Sequence, residues 1–140
     1  MKRAILVVFT MLTAVLLCSC GKSKAGDVSN VTNDFGNSKV YSKDDMESAA
    51  EVVMDKFKKD FEGCTLYSLK YKGDDYCKEQ LSHCKDLDNS EDFAQCMVFE
   101  SSFYSSEEGE GLEADEKYDY WEWCLAREKD GSWKLLTWGY

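Results

Sequence analysis

The chain predicts an α+β fold in which a long helix near the start of the folded part is clasped by a curved antiparallel sheet. Three observations carry this. One long stretch has apolar residues at helical spacing, the segments after it alternate aromatic and polar residues, and an Asp130-Gly131 turn joins the last two of them. Helices kept apart from a run of antiparallel strands define the class.

Ser42 is followed by Lys43, Asp44 and Asp45, a helix N-cap with acids in the first turn. Met46, Ala49, Ala50, Val53, Met54, Phe57 and Phe61 then recur at helical intervals, which predicts a helix over 43–61 that Gly63 ends. Tyr67, Leu69 and Tyr71 fall on alternate positions of 65–71, as in a strand. Cys77, Leu81 and Cys84 form one stripe of a second, weaker helix over 74–87. Phe93, Met97, Phe99 and Phe103 mark a strand over 93–103, and an acidic loop follows over 104–117. Strands over 118–127 and 132–140 flank the Asp130-Gly131 hairpin signal. Proline is absent, so Gly, Asn and Asp do the turning.

The first forty residues read differently. Lys2 and Arg3 precede an uncharged apolar run over 4–17, then Leu17-Cys18-Ser19-Cys20. A run this short does not span a bilayer, which takes about 20 residues. Its flanks are those of a targeting segment. The pattern resembles the signal of bacterial lipoproteins, with residues 1–19 removed and Cys20 diacylated. Cys18 is a poorer cleavage point, because bulky Leu17 would precede it. Two acyl chains suffice for stable anchoring, so the membrane is the expected partner through Cys20, at the extracytoplasmic face. Residues 20–40, rich in Ser, Asn, Gly and Lys, read as a flexible tether on the order of 25 Å in reach. Residues 41–140 read as one α+β domain.

That domain holds 25 acidic against 12 basic residues, a net charge of −13. Phosphate backbones need a basic footprint, so the charge disfavours nucleic acid as a partner and none is expected. Seven cysteines include Cys18 and Cys20. The other five, Cys64, Cys77, Cys84, Cys96 and Cys124, are candidates for disulfides outside the cytoplasm. Cys77 and Cys84 would sit about 10 Å apart on one helix, too far for a bridge.

No catalytic constellation is evident. His83 is the single histidine and falls on the second helix beside Lys85 and Asp86, a surface setting. Cys77, His83 and Cys84 lack the paired-cysteine spacing of structural zinc sites, and Cys64, Cys96 and Cys124 join only through the fold, so no metal is expected. Glu107, Glu108, Glu110, Glu113, Asp115, Glu116 and Asp119 crowd one loop without the spacing of a calcium loop. The remaining set is aromatic: Tyr118, Tyr120, Trp121, Trp123, Trp133, Trp138 and Tyr140. Trp121 and Trp123 share a strand face, with Trp133 expected at their level across the hairpin. These rings read either as core or as the wall of a ligand pocket. The pocket candidates are Tyr118, Trp121, Trp123, Trp138 and Tyr140.

Phe61-Glu62-Gly63-Cys64-Thr65-Leu66, Ser101-Ser102-Phe103, Trp121-Glu122-Trp123, Gly131-Ser132-Trp133-Lys134 and the final Gly139-Tyr140 resemble an uncharacterised family of small Gram-positive, Clostridia-type lipoproteins. The resemblance covers about residues 41–140. It implies a cone similar to the nuclear-transport-factor-two-like or cystatin-like fold, and no activity or cofactor. The expected role is a non-enzymatic binding module of the cell envelope for a protein or small molecule. The alternative is a small-molecule enzyme or ligand carrier using the cone cavity, and a third reading is an inhibitor or structural module.

Overall fold

The computed structural model describes residues 24–109 and 111–140. The expected signal peptide and Cys20 lie outside them, as does Glu110. Seven elements follow in order: β1 (Thr32–Asp34), α1 (Lys43–Asp60), β2 (Cys64–Tyr71), α2 (Asp74–Leu87), β3 (Phe93–Ser105), β4 (Glu116–Glu128) and β5 (Lys134–Gly139). The fold is α+β, with two helices and one five-stranded sheet ordered β1-β2-β3-β4-β5. The sheet is mixed rather than wholly antiparallel, because β1 runs parallel to β2.

Local chemistry explains α1. Ser42 Oγ accepts from the Asp45 amide, and the Asp45 carboxylate accepts from the Ser42 amide, a reciprocal capping box. Arg127 donates to the same Asp45 side chain at 2.8 Å and to Gln95 at 2.7 Å, pinning the helix start to β3 and β4. Met46, Ala49, Ala50, Val53 and Phe57 are buried along one stripe.

The two helices lie on opposite faces of the sheet. Phe57 of α1 meets Phe103 and Trp123. Cys84 of α2 meets Cys96 and Cys124, the latter one residue from Trp123 and so on the other face. The middle of β3 and β4 is therefore buried on both sides. Cys96, Met97, Val98 and Phe99 are all inside, as are Trp123, Cys124, Leu125 and Ala126.

Two register shifts redirect side chains. Leu66 pairs with Phe103 but Ser68 with Ser102, so Tyr67 is an extra residue and is pushed out to 44% exposure. Leu66 and Leu69 then both face inward, and the simple alternation of Tyr67, Leu69 and Tyr71 does not hold. From Phe103 to Ser101 is two steps, while the partner strand takes three, from Tyr118 to Trp121. Tyr120 takes a left-handed φ of 63° and points to solvent, while Tyr118 and Trp121 both pack on Phe103.

The expected tether is corrected over residues 24–40, which lie on the domain. An unsatisfied β2 edge offers backbone groups that the segment pairs with. Asp27 N donates to Cys64 O, Leu66 N to Asp27 O, and Gly63 N to Lys24 O, all at 2.8–3.0 Å. Val28, Val31 and Phe35 pack against the core. Gly26 N donates to Lys58 O at the end of α1. A Cβ on Gly26 would fall 2.3 Å from Phe57 O and 2.8 Å from the Phe57 ring, so only glycine fits there.

Gly26→Ala is therefore expected to cost about 1–3 kcal/mol and to expose residues 24–40 to protease. Urea denaturation with limited proteolysis checks this, and unchanged cleavage would contradict the docking.

Candidate functional site

Where α1 runs out against β4 and β5, the chain leaves a cleft of about 510 Å³. Its walls are Trp121 and Trp138 from the strands, Lys56, Asp60, Phe61 and Glu62 from the end of α1, and Glu107, Glu108 and Leu112 from the β3–β4 connection. The bulge at Tyr120 is what turns Trp121 to this side. Trp138 stands opposite Trp123 in the β4–β5 ladder and stacks on it at 6.4 Å. Lys56 Nζ lies 4.2 Å from the centre of the Trp138 ring and is paired with Asp60. Glu107 receives Lys24 at 3.7 Å across the rim. Two of the four carboxylates, Glu62 and Glu108, thus have no ion-pair partner among the described residues, and an indole face adds its own attraction for a cation. The indole Nε1 of Trp121 is buried and has no hydrogen-bond partner among the described residues.

The five expected pocket residues divide. Trp121 and Trp138 line the cleft. Trp123 does not: it is fully buried, and its Nε1 donates to Ser101 Oγ at 2.8 Å, so it is core. Tyr118 stacks on Phe103 at 5.0 Å, and its hydroxyl accepts from the Glu113 amide. Tyr140 is 84% exposed and meets Trp121 edge-on at 5.3 Å, at the strand end beside a second cavity. Trp133 is not level with Trp123. It sits at the far end of the hairpin, 5.6 Å from Tyr41 and beneath the Arg127 guanidinium at 4.3 Å. The turn residues Lys129 to Ser132 take up the intervening chain, with Asp130 in the left-handed conformation.

The other face holds sulfur. No disulfide occurs among the described residues, and Cys64, Cys77, Cys84, Cys96 and Cys124 are all buried free thiols. The Sγ of Cys84 lies 3.2 Å from that of Cys96 and 3.3 Å from that of Cys124, and the third pair is 3.8 Å apart. Sulfur contacts with Cys124 and Cys96 pull the Cys84 thiol below its ordinary value. The contact with Cys84 pushes Cys124 up, and contacts with Cys124 and Cys84 push Cys96 up as well. A cavity of about 170 Å³ reaches Cys124, lined also by His83, Gln80 and Thr137. His83 itself is exposed on α2.

Among the described residues, the carboxyls with a displaced ionisation (Asp27, Asp45, Asp74, Asp88 and Asp119) are displaced downward, as electrostatic and hydrogen-bonding partners dictate. Among the described residues no helix is long and apolar enough to cross a membrane. No protein-family model, curated protein or solved structure matches the chain.

The sequence did not single out Lys56, Asp60, Glu62 or Leu112 as site residues. The Lys56/Asp60 spacing of four, just before Phe61, was the one available signal, since it puts an ion pair beside an aromatic at a helix end. Trp123→Ala is expected to cost about 3–5 kcal/mol, whereas Trp138→Ala, removing a half-exposed ring, costs about 1 kcal/mol. Urea unfolding of the two variants measures the contrast.

Proposed function

We propose that this protein is a lipid-anchored binding module at the extracytoplasmic face of the cell membrane, held by a diacylated Cys20, and that it takes a flat organic cation in the cleft at the end of α1. One observation carries the ligand class: two indoles, Trp121 and Trp138, share the cleft lining with four carboxylates, of which Glu62 and Glu108 have no ion-pair partner among the described residues. An aromatic wall stabilises apolar rings by stacking, and it attracts positive charge by its quadrupole. Nearby carboxylates add to that attraction within a screening length of about 10 Å.

The reading extends to the shape. A sheet bent about α1, similar to the cone of nuclear-transport-factor-two-like and cystatin-like proteins, is supported by the register shifts in β2, β3, β4 and β5, because bulges bend strands. The cleft is then the mouth of that cone. The enzyme alternative calls for an acid held protonated in a buried polar cavity.

Benzyltrimethylammonium and its uncharged isostere neopentylbenzene test the ligand class. The cation is expected to quench tryptophan fluorescence at lower concentration than the isostere, and added salt is expected to weaken it. Trp138→Ala is expected to reduce that binding about tenfold, worth about 1.4 kcal/mol. Equal binding of the two probes sinks the electrostatic part, and no binding of either sinks the cleft. Separately, Cys20→Ser is expected to move the protein from the membrane fraction to the soluble one and to abolish incorporation of labelled palmitate. Unchanged partitioning and labelling would remove the anchor.

A further inference from the structure

Cys84, Cys96 and Cys124 come from α2, β3 and β4, and their sulfurs converge on one point. The other two thiols behave differently. Cys64 Sγ lies 3.7 Å from the Glu62 carbonyl, and Cys77 Sγ accepts the Val98 amide at 3.2 Å. Each is an ordinary buried thiol tied to backbone. The three converging sulfurs have only one another as partners among the described residues. A thiol is a weak donor and a weak acceptor, so this contact gives little stability for three polar heads kept from water. An apolar triplet of the same volume would pack as well without it. An odd number of thiols also leaves one unpaired after any bridge.

We propose that Cys84, Cys96 and Cys124 form a three-thiolate site for a soft divalent cation of the zinc type, with its remaining coordination position on the side of the small cavity beside Cys124. Soft thiolates select such ions. A tetrahedral ion with Zn–S bonds of about 2.3 Å holds its sulfurs about 3.8 Å apart. The observed separations of 3.2, 3.3 and 3.8 Å require one sulfur to move outward by about half an ångström, within the reach of a rotamer adjustment. Charge selects the valence. Three thiolates around a divalent ion leave one net negative charge in a buried site, while a monovalent ion leaves two, and uncompensated buried charge is costly. Cys84 and Cys96 are almost wholly covered, whereas Cys124 is 7% exposed and borders the 170 Å³ cavity, which offers an entry path. Binding releases the thiol protons to solvent and so tightens as pH rises.

The test uses the full-length chain in mild detergent, reduced and free of oxygen, with Cys18→Ser and Cys20→Ser to remove the two other thiols. Cadmium is titrated while thiolate-to-metal charge-transfer absorption is followed. One ion per chain is expected, with the band retained in Cys64→Ser and Cys77→Ser. Cys124→Ser is expected to lower affinity by at least about tenfold. Because Cys84 and Cys96 variants strain the core, X-ray absorption on the zinc-loaded parent chain supplies a reading that needs none of them: three sulfur neighbours at about 2.3 Å. The proposal is overturned by no uptake in the folded reduced chain, by uptake that ignores Cys124, by fewer than three sulfur neighbours, or by preference for a monovalent ion over zinc and cadmium. The aromatic cleft has no cysteine in its lining, and Trp138 is the one residue that borders both cavities.

Discussion

The aromatic junction at the end of α1 is the constraint on which the rest of the molecule depends. Phe57 and Phe61 stack 4.8 Å apart and press together onto Phe103 and Trp123 at 5.2–6.3 Å. Ring pairs of this kind contribute about 0.5–1.5 kcal/mol each beyond the area they bury. Trp123 brings a polar handle into that core, and Ser101 Oγ accepts it while donating to the Trp121 carbonyl at 3.1 Å. One hydroxyl thus satisfies the buried indole and ties β3 to the residue that walls the cleft. The same junction closes over Gly26, so helix, sheet and N-terminal segment are fastened at one place.

Two chemistries are kept apart by one sheet. The face toward α1 is aromatic and opens into an acid-rimmed cleft, and the face toward α2 is lined with sulfur. This separation follows from side-chain alternation in β3 and β4, where Phe99 and Trp123 are opposite partners, as are Val98 and Cys124. Strands covered on both faces lose the alternation of apolar and polar residues and read as continuous apolar runs. The runs 96–99 and 123–126 are of that kind.

Local signals were legible in the sequence and non-local ones were not. The capping box at Ser42 and the 3.6-residue spacing from Met46 to Phe57 defined α1 to within a residue at its C-terminal end. Asp130-Gly131 marked the last turn, although it is Asp130 that takes the left-handed conformation. The bulges at Tyr67 and Tyr120 were hidden, because an inserted residue leaves composition untouched while reversing which side chains point inward. The strand Thr32–Asp34 was hidden for a different reason. Its three residues are exposed and polar, and they are ordered by backbone pairing to β2 rather than by anything they bury. The sulfur triad joins positions 84, 96 and 124, whose spacing is set by two connections and a strand register that no linear motif encodes.

The docked N-terminal segment has a geometric consequence. Lys24 is hydrogen-bonded to Gly63 and reaches Glu107, so the described chain begins at the rim of the cleft. Four peptide steps separate Lys24 from Cys20, which is at most about 14 Å of extended backbone. If Cys20 carries the acyl chains, the domain is not held away from the bilayer. Its acidic end is kept within reach of the headgroup layer. The reach between the domain and the acylated end then depends on one glycine that leaves no room for a methyl group.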